Sequence, residues 1–118
     1  MCRDLTRRLL NGGRYGQARV LTENSARQLF TDFNREFPGD ARGLGFELDQ
    51  RSYMGRLASP VTAGHTGYTG TSLVIDPRSR AFVLLLTNRV HPSRDRGTVD
   101  PARRAVAGDL ARALGLDG

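Results

Sequence analysis

Residues 64–88 read GHTGYTGTSLVIDPRSRAFVLLLTN, and the arrangement of the whole chain follows from this stretch. Residues 71–75 and 81–87 are runs of aliphatic and β-branched side chains, which predicts a strand in each. Asp76-Pro77-Arg78-Ser79-Arg80 between them is a turn, because proline pre-sets the φ needed at the second turn position. A link this short joins only antiparallel strands, since a parallel crossover needs a dozen residues or more. Phe82 to Leu86 is apolar on both sides of the pleat, which predicts a central strand with helices covering both faces.

Upstream, residues 43–49 (GLGFELD) alternate, with Leu44, Phe46 and Leu48 on one side, and read as a half-buried strand. The expected sheet is antiparallel, with segments 43–49, 64–75 and 81–88 side by side in that order. Residues 51–63 have weak periodicity and read as a connection, with room for a short strand near Tyr53. Residues 3–10 predict a short helix carrying Leu5 and Leu9 and stopped by Asn11-Gly12-Gly13. A second helix runs from Thr22, its N-cap, to about Phe33, with Ala26, Leu29, Phe30 and Phe33 on its apolar face. Residues 34–42 contain the loop signal Pro38-Gly39-Asp40. Downstream, 91–99 is a polar loop. Asp100 caps a final helix with Pro101 at its first position and Ala102, Val106, Leu110 and Ala113 or Leu114 as its buried stripe. The class is α+β, an antiparallel sheet with N-terminal and C-terminal helices packed on it, in one domain over residues 1–118.

Composition excludes several functions. The chain has 118 residues, one cysteine, two histidines and a formal charge of +6. A single cysteine rules out an internal disulfide and a cysteine-rich metal site, and no metal or cofactor is expected. All 18 basic side chains are arginine, so no lysine Schiff base or P-loop lysine is available. The excess charge is spread evenly along the chain, which argues against a specific nucleic-acid site. No apolar run is long enough to span a membrane, and residues 1–20 hold no uninterrupted apolar core of a secretory signal. A cytoplasmic location is the default expectation.

Gly64-His65-Thr66-Gly67-Tyr68-Thr69-Gly70 concentrates the chemistry. Glycine permits close approach of a backbone or ligand, His65 can carry a proton near neutral pH, and backbone N–H groups can stabilise an oxyanion. On residues alone the stretch is either such a site or a glycine-rich turn with a surface histidine. Elsewhere Glu47 and Asp49 read as the wet side of a strand. Arg94, Arg96, Arg103 and Arg104 read as solvated positions of a loop and a helix, and Asn88 and His91 as loop residues.

Gly64 to Arg89, followed by Val90-His91-Pro92, resembles the C-terminal part of the penicillin-binding-protein-like serine hydrolases. That superfamily includes class C beta-lactamases, D-alanyl-D-alanine carboxypeptidases and related esterases. His65-Thr66-Gly67 matches the histidine version of the family's Lys-Thr-Gly triad. Gly43-Leu44-Gly45-Phe46 looks like its preceding strand, and Leu21-Thr22-Glu23 like the start of an upstream helix. Leu9 to Gly13, Asp76-Pro77 and Leu86 to Arg89 also fit, so the likeness runs over about 100 residues. The resemblance implies His65 and Thr66 as catalytic-pocket residues. It implies Gly67 and Tyr68 as substrate-binding, with the Tyr68 backbone N–H as one oxyanion donor. It implies a small-molecule or peptide substrate for the intact protein.

The sequence departs from the family at the nucleophile. Ser-x-x-Lys is impossible in a chain with no lysine, and no Tyr-x-Asn or Ser-x-Asn occurs. The expectation is therefore a hydrolase segment inactive by itself, which completes its site with an upstream segment or self-associates. Two alternatives stay open: a non-catalytic remnant serving as a protein-interaction module, and a weak basic nucleic-acid binder.

Overall fold

The computed structural model describes residues 10, 14–15, 18–19, 22–88 and 99–116. The readings of helix 3–10, apart from its last residue Leu10, and of Arg89, His91, Arg94 and Arg96 lie outside these residues. In chain order the elements are β1 (Arg14–Tyr15), β2 (Ala18–Arg19), α1 (Glu23–Gln28), β3 (Glu47–Leu48), α2 (Arg51–Met54), a 3-10 turn (Gly55–Leu57), β4 (Ala63–Thr66), β5 (Ser72–Asp76), β6 (Ala81–Leu85) and α3 (Asp100–Ala113). β1 and β2 form a small antiparallel pair, and the main sheet is antiparallel in the order β3-β4-β5-β6. The α+β class is as read from the sequence.

The β5–β6 hairpin pairs Ser72 with Leu85 and Asp76 with Ala81. Its turn is built on the buried carboxylate of Asp76. Oδ1 accepts from the Arg78 backbone N–H at 3.2 Å and from Arg78 Nε at 3.0 Å, and Oδ2 from Ser79 Oγ at 2.9 Å. Arg78 Nη2 also reaches Leu57 O at 3.3 Å, tying the turn to the 3-10 segment. A buried carboxylate is tolerated because each oxygen is satisfied.

Segment 64–75 is two strands, not one. β4 and β5 pair from Ala63↔Ile75 to Thr66↔Ser72, and the chain reverses through 67–71, where Gly70 takes φ +114°. Segment 43–49 is likewise shorter as a strand than its alternation suggests. Gly45 at φ +90° bends it into a tight hairpin, with Gly43 N–H donating to Phe46 O at 3.0 Å and Arg42 bridging Glu47. Only Glu47 and Leu48 pair with β4, opposite Gly64 and Ala63, so Leu44 is half exposed while Leu48 is buried.

Thr22 caps α1 as expected, its Oγ1 accepting from Ser25 N–H at 3.1 Å. The helix ends at Gln28, short of Phe33, because its last carbonyls are taken by other donors. Thr31 Oγ1 donates to Arg27 O at 2.9 Å and Leu44 N–H to Gln28 O at 3.3 Å. Residues 51–57, read as connection, are helical. They place Tyr53, Met54 and Leu57 in the core with Val74, Ala107 and Ala111, so α2 and the 3-10 turn are sandwiched between the sheet and α3.

α3 begins at Asp100 with Val99 as N-cap. Asp100 is thus the first helical residue rather than the cap, and its carboxylate accepts from Arg103 at 2.6 Å. The buried stripe is Arg103, Ala107 and Ala111, about one residue round from the expected one, and Val106 and Leu114 face outward. Small alanines let the helix approach its neighbours closely, which the larger side chains would prevent. β6 lies at the end of the described sheet. Val83 packs on the core, while Leu84 and Leu86 are exposed, so the run 82–86 is not covered on both faces among the described residues. No helix among them is long and apolar enough to cross a membrane.

Candidate active site strand

His65, Thr66, Gly67 and Tyr68 lie at the end of β4 and in the turn that follows it. Gly64 and Gly67 are demanded by packing. A Cβ on Gly64 would stand 2.6 Å from Leu73 O and 3.0 Å from both Met54 Cε and Tyr53 Cε2, and one on Gly67 would collide with Thr71 Oγ1. The close neighbours of these glycines are therefore the protein's own groups.

The turn is fixed from three sides. Gly67 N–H donates to Thr71 O at 2.8 Å and Gly70 N–H to Gly67 O at 3.0 Å. Thr87 Oγ1, beyond β6, donates to Gly70 O at 2.7 Å. Arg103 Nη2, from α3, donates to Gly67 O at 3.1 Å and Thr71 O at 3.0 Å. Arg103 is only 6% exposed, which corrects its reading as a solvated helix residue. Its guanidinium is buried because carbonyls and the Asp100 carboxylate replace water around it.

Antiparallel register puts His65 on the same sheet face as Leu73 and Thr66 on the same face as Ser72. The two candidate side chains therefore diverge and form no nucleophile–base pair with each other. Ser72 is buried and offers no accessible hydroxyl. Tyr68 is 59% exposed.

Beyond Gly64 the outer edge of β4 has no strand partner among the described residues, because β3 reaches only Ala63 and Gly64. The Gly67 N–H faces β5, so the alternation of an antiparallel ladder turns the peptide groups of Thr66 to this open edge.

Glu47, read from the sequence as the wet side of a strand, is instead mostly enclosed and engaged. It sits opposite Gly64, so its side chain lies over a position with no Cβ and reaches in two directions. Glu47 Oε1 is 3.8 Å from His65 Nδ1 and accepts a long hydrogen bond of 3.5 Å from Tyr53 Oη. Arg42 approaches Oε2 at 3.9 Å. Burial, then the Glu47 charge and this hydrogen bond, hold the Tyr53 hydroxyl well above its ordinary pKa. The signal was present in the sequence as Glu47 on the strand edge nearest the triad, but only register could pair it with Gly64.

Several arginines are engaged within the protein. Arg78 holds Asp76, Arg104 Nη1 donates to Ser52 O at 3.0 Å, and Arg112 pairs with Asp109 at 3.2 Å. A cleft of about 420 Å³ between the 3-10 turn and α3, lined by Gly55, Arg56, Pro101, Arg104, Gly108 and Arg112 among others, contains none of His65 to Tyr68.

The family described as Beta-lactamase matches residues 1–108. A Salmonella gallinarum protein named "Putative D-alanyl-D-alanine carboxypeptidase" is 40% identical over 98 residues, covering 79% of this chain and 22% of that protein. Proteins of the same name from Salmonella paratyphi B and Salmonella newport are 39% identical over the same length and coverage. The chain thus spans about a fifth of the length of these curated relatives.

Proposed function

This chain belongs to the beta-lactamase family, and from that membership we propose that it is the C-terminal segment of a serine hydrolase acting on ester, beta-lactam or D-Ala peptide carbonyls. In the complete site a serine supplied from elsewhere attacks the carbonyl and expels the alcohol or amine to form an acyl-enzyme, and water then hydrolyses that ester to free the serine. This chain contributes His65 and Thr66 to the pocket wall, Gly67 to the turn that presents the substrate-binding backbone, and the Tyr68 backbone N–H to the oxyanion hole.

The observation that carries the reading is the edge of β4 left open among the described residues. His65 and Thr66 continue the strand past the end of β3, and the Thr66 peptide faces that side. An extended acyl substrate can add to such an edge as a further strand. The nearby Tyr68 N–H would meet the charge that develops on its carbonyl oxygen. The relatives' printed name, a carboxypeptidase of D-alanyl-D-alanine, supports a peptide substrate.

The test has two arms. The 118-residue chain alone should hydrolyse neither a chromogenic cephalosporin, a nitrophenyl ester nor a D-alanyl-D-alanine peptide above a His65→Ala control. Mixed with a segment carrying Ser-x-x-Lys and Tyr-x-Asn, it should gain turnover, and His65→Ala should lower that turnover by about 10²–10³. Stoichiometric acylation of the lone chain would overturn the assignment, as would no turnover in a mixture that forms a stable complex. A remnant used only for protein interaction would associate with such a segment yet leave it inactive.

A further inference from the structure

Arg103 is buried in α3, and its guanidinium hydrogen bonds lead away from the helix backbone. Nη1 donates to Asp100 Oδ1 at 2.6 Å, and Nη2 to Gly67 O and Thr71 O. The two carbonyls belong to the first and last residues of the turn after His65-Thr66. Nε is buried with no partner among the described residues. A cation with this much of its hydration removed needs its contacts to be in place, and here they are chiefly contacts to one turn.

Gly67 O is the informative acceptor. It belongs to the peptide unit whose nitrogen is that of Tyr68. In a planar trans peptide the C=O and the N–H point in opposite directions. Holding Gly67 O between Arg103 Nη2 at 3.1 Å and Gly70 N–H at 3.0 Å therefore fixes the direction of the Tyr68 N–H. The guanidinium also draws electron density toward the carbonyl oxygen, which leaves the N–H at the other end of the same unit a stronger donor.

We propose that Arg103 is a positioning residue for the oxyanion donor. Clamped by Asp100, it grips Gly67 O so that the Tyr68 N–H is aimed and polarised before substrate arrives. The role rests on the reading of His65 to Tyr68 as the site, and it makes α3 part of the catalytic scaffold. A donor fixed in advance needs no reorganisation when charge develops, which is the source of its catalytic worth.

The proposal is tested on the full chain by NMR, without any activity measurement. Arg103→Lys keeps the charge but loses the planar fork, and Arg103→Met keeps the apolar stem and loses every donor. In both, the Tyr68 amide ¹⁵N resonance should move upfield, because a carbonyl relieved of a cationic donor draws less density from its nitrogen. Amide exchange at Gly67 and Gly70 should accelerate about tenfold or more relative to Leu73 to Ile75, with the lysine variant intermediate. An unchanged Tyr68 resonance with unchanged protection overturns the proposal. So does a uniform loss of protection in step with thermal stability, which a merely structural arginine would give. If neither variant folds, the wild type decides: Arg103 guanidinium protons should be resolved and slow to exchange, and a single averaged, rapidly exchanging signal overturns the clamp. None of these outcomes depends on whether the complemented protein hydrolyses anything, so failure of the clamp and failure of the proposed function are separable.

Discussion

Glu47 Oε1 stands 3.8 Å from His65 Nδ1, which gives the triad histidine a carboxylate neighbour on its Nδ1 side. The pair is an ion pair whenever the imidazole is protonated. In the neutral ring, a carboxylate beside Nδ1 favours the proton on that nitrogen and leaves the lone pair on Nε2. Imidazole ¹⁵N shifts should therefore report an excess of the Nδ1–H tautomer. Glu47→Gln should shift the balance toward Nε2–H without altering the far-ultraviolet spectrum. Equal tautomer ratios in the two proteins would show that Glu47 does not orient the ring.

Tyr53 makes stability fall in alkali. Its hydroxyl is held well above the ordinary value of 10.0, first by burial and then by Glu47, with Arg42 and Arg103 opposing. Above pH 10 the unfolded chain releases this proton while the folded chain keeps it. The folded state then binds more protons, and raising the pH favours unfolding. The contribution is complete below pH 10 and declines above it by about 1.4 kcal/mol per pH unit. Denaturant titrations between pH 9 and 11 should show this slope in the wild type and lose it in Tyr53→Phe.

Gly64→Ala should destabilise by about 1–3 kcal/mol. The new Cβ meets a backbone oxygen, Leu73 O, at 2.6 Å, and a β4–β5 ladder cannot give way there without losing register. Gly67→Ala meets only the Thr71 hydroxyl, which can rotate, and should cost less. Thermal melts of the two variants under one condition compare them, and the reverse ranking would contradict the packing described.

Leu57→Ala should cost about 2–5 kcal/mol, because it empties a position enclosed by the sheet, α2 and α3. Leu86→Ala should change stability by less than about 0.5 kcal/mol, since Leu86 is 71% exposed. If urea midpoints showed Leu86→Ala to be the more damaging change, this end of the sheet would have to be covered in solution. The expected self-association would supply such a cover, and sedimentation across a range of concentrations would detect it.

Local signals were legible in the sequence, and long-range ones were not. The β5–β6 hairpin and the Thr22 cap depend on neighbouring residues and emerged as read. α2 was missed because a helix of one turn has no periodicity to detect. The strand at 43–49 was overextended because its alternation is real, but Gly45 adopts a φ that turns the chain before the pattern can be used. The face of α3 was misjudged because the apolar stripe through Val106 and Leu110 competes with one through Ala107 and Ala111. The small-residue stripe prevailed because it carries Arg103 to carbonyls 32 and 36 residues away. The family likeness was readable from the motifs around His65-Thr66-Gly67. The roles of the neighbours Glu47 and Arg103 were not, since each is brought there by tertiary contacts alone.

The contacts around the triad also differ in how far apart in the chain they begin, and this sets an order of assembly. β4, β5 and β6 close through short turns, so their ladders need little loop entropy to form. Arg104 must come back across 52 residues to meet Ser52, and Arg103 across 36 to meet Gly67. Neighbouring strands therefore pair first, and the last helix docks afterwards. A ribosome that has released the sheet but not residues 100–113 has made the triad without its clamp. The turn after His65 and Thr66 is consequently fixed late in folding, after the appearance of the strand that leads into it.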